Sequence, residues 1–176
     1  MSTARPPEGG SHGNRQAEGS LMNEAARVRP AGPADAGALL ALMRELAAFE
    51  GYLEHFKVTT SELLARGLAP AGAPEFVAFV AERPGSGPLG YAVVVETAFT
   101  FDLRPTLTLK ELYVRQDARG AGAGRALFAQ VLAHGRARGA GRLKWDVLPA
   151  NEPARAFYRR AGGAPDTHWE PWLLPL

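Results

Sequence analysis

Arg119-Gly120-Ala121-Gly122-Ala123-Gly124 stands between an apolar run, Leu109 to Val114, and the start of an amphipathic pattern. Its glycines fall on alternate positions and leave the backbone bare where a helix begins. The first turn of a helix has N–H groups without intrahelical partners, and the macrodipole adds partial positive charge there. Such an end accepts an anion, most simply a phosphate. Spacing narrows the choice. The dinucleotide fingerprint G-x-G-x-x-G would need glycine where Arg125 stands. The nucleotide P-loop needs a Lys followed by Ser or Thr, and no Lys of this chain is so followed. What remains is R-x-x-G-x-G between a strand and a helix.

Upstream of the loop, Thr106 to Val114 reads as a strand, with Leu107, Leu109 and Glu111 alternating against Thr108 and Lys110. Phe76–Val80 and Tyr91–Val95 flank Pro84-Gly85-Ser86-Gly87-Pro88 and read as a hairpin. Nearer the N-terminus a short strand fits Ala26–Arg29, stopped by Pro30. A helix starts at Asp35, carries Leu39, Leu42, Met43, Leu46 and Phe49 at helical spacing, and ends at Gly51. Thr60-Ser61-Glu62 caps a second short helix running to Leu68. Downstream of the loop the helix buries Leu127, Val131 and Leu132 and stops at Arg138-Gly139-Ala140-Gly141. Leu143–Leu148 is a strand, Asn151–Ala161 a helix halted by Gly162-Gly163, and Trp169–Leu174 a last strand weakened by Pro171. This order predicts an α/β (α+β) fold, a mixed, mostly antiparallel sheet with helices on both faces. The crossover through the glycine-loop helix is expected to be right-handed. Residues 1–24 are too polar and glycine-rich to pack and read as a disordered tail; residues 25–176 form the domain.

The 176 residues suit one domain, with 46% apolar and 22% charged residues. There are no cysteines, which excludes disulfides, thiolate metal sites and a Cys nucleophile. The four His residues show no metal spacing, so no metal is expected. A net charge of +2 without a basic cluster argues against nucleic acid as partner. No apolar run approaches the roughly 18 residues of a membrane span, and no secretory h-region opens the chain. A cytoplasmic location follows as the expectation.

A second motif follows the loop: Asn151-Glu152-Pro153-Ala154-Arg155-Ala156-Phe157-Tyr158-Arg159-Arg160-Ala161-Gly162. R-x-x-G-x-G followed by N-x-x-A-x-x-F-Y-x-x-x-G resembles the acetyl-CoA site of the GCN5-related N-acetyltransferases (GNAT). Arg44-Glu45-Leu46-Ala47-Ala48-Phe49-Glu50 and Tyr113-Val114, in order with both motifs, resemble the diamine (spermidine/spermine) acetyltransferase branch. The resemblance runs from about Val28 to Leu174. It implies the GNAT fold, with about six or seven strands, acetyl-CoA as co-substrate, a small-molecule amine as acceptor and a homodimer.

The same resemblance assigns roles by position. The pyrophosphate would lie on Arg119, Gly120, Ala121, Gly122, Ala123, Gly124 and Arg125. The pantetheine arm would pair like an extra strand along Leu112, Tyr113 and Val114, with the Val114 N–H facing the thioester oxygen. Asn151, Ala154 and Phe157 belong to the second half of the site, Asn151 also as a helix cap. Tyr158 matches the general acid that protonates the departing thiolate, a task a neutral phenol can perform. Glu50, Trp145 and Asp146 are candidates for the acceptor side.

One position breaks the pattern. Where the diamine branch carries adjacent carboxylates, this chain has Lys110-Glu111. A protonated Lys takes no proton and repels a polyamine. Glu111 is then the candidate base and Lys110 a substrate-facing cation, with Glu50 and Asp146 as other acids in reach of the role. An N-acetyltransferase acting on a polyamine, diamine or amino-acid-like amine is the first reading. A peptide N-acetyltransferase and a catalytically weak acyl-CoA-binding regulatory domain are the alternatives.

Overall fold

The computed structural model describes residues 26–98, 102–168 and 170–175. They fall into two compact units, one ending at Lys144 and one running from Trp145 onward. The tail expected over residues 1–24 lies outside the described residues, as does Trp169.

In the first unit, β1 (Arg27–Pro30), β2 (Val77–Glu82), β3 (Pro88–Thr97) and β4 (Thr106–Val114) pair antiparallel in sequence order. β5 (Arg142–Trp145) adds to the outer edge of β4 and completes a five-stranded sheet. The Gly141 N–H donates to the Pro105 carbonyl at 2.9 Å, so β5 starts beside the start of β4 and runs along it in the same direction. The sheet is therefore mixed.

Helix α1 (Ala36–Glu50) covers one face. Its Leu39, Leu42, Met43 and Leu46 pack with Ala78, Val80, Tyr91, Val93 and Tyr113. Gly51 ends it in the left-handed region, φ 81°, its N–H bonded back to the Ala47 and Ala48 carbonyls. Helix α2 (Thr60–Leu63) continues into a π-helical turn, Leu64–Leu68. Helix α3 (Ala123–Ala137) covers the opposite face: His134 meets Phe79 edge-on, and Gly135 lies against Leu107. Both faces are thus covered by helix, as the element order requires.

Several expectations are corrected. Five strands form among the described residues, fewer than the six or seven expected. Residues 170–174 are not in a strand, since Pro171 removes a backbone donor from so short a segment. β5 ends at Trp145 and not at Leu148. The cap of α2 is Thr59, whose hydroxyl accepts from the Glu62 N–H at 3.2 Å while Glu62 accepts from the Thr59 N–H at 2.9 Å. On α3, Leu127, Phe128 and Val131 are buried, and Leu132 only half so.

The correction that matters most concerns β4. Val93 pairs with Glu111 but Val94 with Leu109, so Lys110 is the extra residue of a β-bulge. Paired residues share a face. Leu107 and Leu109 therefore look toward α3, while Glu111 and Tyr113 look toward α1. Strict alternation would have kept all four on one side.

Candidate active site

The bulge decides what the end of β4 offers. Past it, Glu111 stands opposite Val93, Leu112 opposite Ala92, Tyr113 opposite Tyr91 and Val114 opposite Gly90. The Arg115 N–H donates to the Leu89 carbonyl at 2.9 Å. Antiparallel bonding alternates, so Val114 turns its own N–H and C=O away from β3. The outer edge here is free of β5, which is four residues long against nine in β4 and starts at the far end. Gly90 makes the close β3–β4 approach possible. A Cβ at Gly90 would lie 2.6 Å from the Tyr113 backbone carbonyl oxygen and 3.1 Å from the Val114 Cα.

The glycine loop adjoins this edge. A Cβ built on Gly124 would touch Val114 Cγ2 at 3.7 Å, so the start of α3 lies against the end of β4. Gly120 (φ 83°) and Gly122 (φ 86°) occupy the left-handed region, which disfavours any side chain. Nothing lies within 4 Å of the Cβ positions of either. Gly122 is the N-cap of α3, and its carbonyl takes the Ala126 N–H at 2.9 Å. The N–H groups of Ala123, Gly124 and Arg125 precede the first intrahelical bond and have no helical acceptor. Ala121 and the Arg125 side chain are exposed, while the Ala123 methyl is core. The loop therefore leaves open backbone and first-turn donors without helical acceptors at the start of α3.

On the α1 side of the sheet lies a cluster of acids and phenols. The wholly buried Tyr91 donates its hydroxyl to Glu111 Oε2 at 2.9 Å. Burial pushes the Glu111 carboxyl above the usual carboxylate range; the Tyr91 bond and the Lys110 charge oppose this, and the Glu50 charge adds to it. Burial likewise raises Glu50, at the last position of α1. Tyr52 is raised by burial and by the charges of Glu111 and Glu50. Tyr91 is pushed far up, first by burial and then by Glu111. Glu50, Tyr52, Tyr91 and Glu111 thus feel one another's charge across the gap between α1 and β4. The half-buried Glu111 carboxylate, with the exposed Glu50 near enough for its charge to be felt, suits a cation. Lys110 itself is exposed at the bulge.

Sequence reading missed Tyr91, Tyr52 and Glu45. Tyr113 donates its hydroxyl to Glu45 Oε2 at 3.1 Å. A groove of about 510 Å³ is lined by Glu45, Tyr113, Arg115, Gln116 and Asp117. Arg119, expected at the phosphate, has its guanidinium 5.5 Å from the Phe49 ring centroid and 5.8 Å from that of Tyr113. Its Nε–H donates to the Val114 carbonyl at 3.0 Å. Tyr91 carried no local signal, because its bond to Glu111 crosses between strands.

In the second unit, α4 (Glu152–Arg160) is capped by Asn151, whose Oδ1 accepts from the Ala154 N–H at 3.2 Å. Glu152 pairs with Arg155 and Arg159 along the helix. Tyr158 packs between Phe157 (ring centroids 5.1 Å) and Trp145 (4.9 Å). Gly163 also lies against Trp145, where a Cβ would come within 2.6 Å of the ring. Trp145 is thus packed inside its unit by Tyr158 and Gly163. Asp146 is exposed.

Among the described residues no His, Cys, Asp or Glu cluster gathers three or more potential metal ligands. No described helix is long and apolar enough to cross a membrane.

Residues 40–163 match the family model described as the acetyltransferase (GNAT) family. The thialysine N-epsilon-acetyltransferase of Caenorhabditis elegans is 30% identical over 141 residues, 80% of this chain and 84% of that protein. Its Bos taurus counterpart is 30% identical over 152 residues, 82% and 88% of the two chains. Among solved structures, a probable acetyltransferase superposes with a TM-score of 0.73 at 22% identity, covering 85% of this chain and 97% of its own. An aminoglycoside acetyltransferase from an uncultured soil metagenomic sample reaches 0.72 at 19% identity, covering 87% and 99%.

Proposed function

The chain belongs to the GNAT family of acetyltransferases, and we propose that it moves the acetyl group of acetyl-CoA to a primary amine of a small molecule by direct attack. The observation that carries this reading is the half-buried Glu111 carboxylate, held by the Tyr91 hydroxyl at 2.9 Å, on the same strand end as Val114, whose N–H turns outward from β3. An acceptor ammonium is a natural counter-ion for this carboxylate. Thialysine, the acceptor in the relatives' name, is an amino acid with a side-chain amine. Lys110 at the bulge suits an acceptor that also carries a carboxylate, and it works against a polycation.

The chain's residues divide the work. The amides of Ala123, Gly124 and Arg125, with the open backbone of Gly120 to Gly122, suit a pyrophosphate. Acetyl-CoA supplies an activated acyl group as a thioester. The Val114 N–H, turned outward from β3, is oriented to donate to the thioester oxygen, and such fixed donors are worth about 3 kcal/mol of barrier elsewhere. Glu111, in its carboxylate form, takes the proton of the acceptor ammonium, directly or through water, and leaves a neutral amine to attack. Tyr158 gives its phenolic proton to the departing sulfur, and the second proton that the nitrogen sheds as the amide forms restores the phenol through water. The family resemblance also carries the expectation of a homodimer.

The test is thiol release from acetyl-CoA across thialysine, lysine, spermidine, an aminoglycoside and a lysine peptide. Turnover is expected on the amino acids, above that on spermidine. Turnover on none of them would overturn the reading. Lys110→Glu is expected to shift the preference toward spermidine, read as the ratio of kcat/KM values.

A further inference from the structure

The R of R-x-x-G-x-G sits where charge alone would make it a phosphate ligand, yet its neighbours assign it other work. Its Nε–H is committed to the Val114 carbonyl at 3.0 Å. Its guanidinium is flanked by the Phe49 and Tyr113 rings, at 5.5 and 5.8 Å. Phe49 would otherwise be an unexplained exposed aromatic at 57% exposure. Tyr113 in turn reaches Glu45 at 3.1 Å. Glu45 and Phe49 are four residues apart on α1, so they lie on one face of its last turns. Arg119 and Tyr113 together fasten that face to the end of β4. Glu50 follows Phe49 directly, and Glu111 is on β4 just past the bulge.

We infer that Arg119 is a positioning residue that pins the C-terminal turn of α1, which ends in Glu50, to the end of β4, which carries Glu111, and that it is not a ligand of the pyrophosphate. The inference rests on the acetyl-transfer reading above for its consequence in turnover. A guanidinium stacked on a ring is held by the ring's quadrupole, and its planar fork leaves Nε–H free to donate sideways. A small displacement at this point is passed to Glu50, where errors on the order of 1 Å cost rate steeply.

Two variants and two donors separate the roles. Arg119→Gln removes the cation; Phe49→Leu removes a ring and leaves the cation in place. Acetyl-CoA carries the pyrophosphate and acetyl-pantetheine lacks it. For both variants the acceptor KM is expected to rise about fivefold or more, equally with either donor, and the Kd for CoA by calorimetry to stay within about twofold. A CoA affinity weakened about tenfold or more in Arg119→Gln, with acetyl-pantetheine turnover untouched, would make Arg119 a phosphate ligand and overturn the inference. An unchanged acceptor KM in Phe49→Leu would overturn it as well. If the unaltered protein acetylates no amine, the proposed function fails by itself. Arg119 is then judged by the two CoA Kd values and by the α1–β4 tie, read as the exchange rate of the Arg119 Nε–H signal in ligand-free protein. Faster exchange in Phe49→Leu supports the tie, and an unchanged rate overturns it.

Discussion

A carboxylate serves best as a base when its environment brings its pKa nearer the working pH and still leaves it able to ionise. Glu111 is pushed in that direction: burial raises it most and the Glu50 charge adds to the rise, while the Tyr91 hydroxyl and Lys110 hold it back. Activity that needs Glu111 ionised is lost as pH falls through this raised value. Tyr91→Phe removes a bond that favours the carboxylate, so the acidic limb of the kcat/KM profile is expected to move to higher pH. Glu50→Gln removes a repelling charge, so the limb is expected to move the other way. An unmoved limb in both variants would detach Glu111 from the profile. Tyr158→Phe is expected to lower kcat about a hundredfold or more while CoA affinity holds. That role comes by position in the second motif, and a full kcat in the variant would refute it.

At the scale of elements, β4 and its bulge organise the site. Gly90 permits β3 to pass close under Tyr113 and Val114. Gly90→Ala is expected to push this strand end aside, lowering both melting temperature and kcat. A variant that melts and turns over as before would show that Val114 needs no such support. Much of this was legible in advance. The period of Leu39, Leu42, Met43 and Leu46 gave α1, Gly51 gave its end, and Thr106 and Val114 bound β4 as read. The bulge was not legible, because Leu107, Leu109, Glu111 and Tyr113 keep an unbroken numerical alternation. Only the adjacent charges Lys110-Glu111 in an apolar strand hinted at a slipped phase. The capping box of α2 was available in the sequence as Thr59-x-x-Glu62 and was read one residue late. The Tyr91–Glu111 and Arg119–Phe49 contacts join residues far apart in sequence, which local patterns do not encode.

At the scale of the molecule, one ion-pair group ties the start of the first unit together. Arg29 on β1 bonds both oxygens of the buried Asp35, at 2.7 and 2.8 Å, and reaches Glu82 on β2 at 2.8 Å. Asp35 also accepts from the Gly32 N–H at 2.8 Å, just ahead of α1. The Arg29 guanidinium, against burial, holds the Asp35 carboxyl below the usual carboxylate range. A lowered folded-state pKa gives stability that is present above the unfolded value and lost as pH falls through the folded one. Glu111, raised, acts in the opposite sense: its contribution is present below the unfolded value and is lost as pH rises through the folded one. Arg29→Ala leaves Asp35 buried without its partner and is expected to cost about 3 kcal/mol, read by denaturant unfolding at pH 7. The difference from the unaltered protein should shrink in acid, where Asp35 is neutral. A constant difference across pH would place the effect elsewhere.

The whole reading turns on Glu111, the carboxylate that the bulge carries to the α1 side of the sheet. Its most direct test is steady-state acetyl transfer to the best amine acceptor by Glu111→Gln, alongside calorimetric CoA binding. The expected kcat is lower by about a hundredfold or more, with the Kd for CoA within about twofold of the unaltered protein. A kcat left intact with CoA binding intact would contradict it.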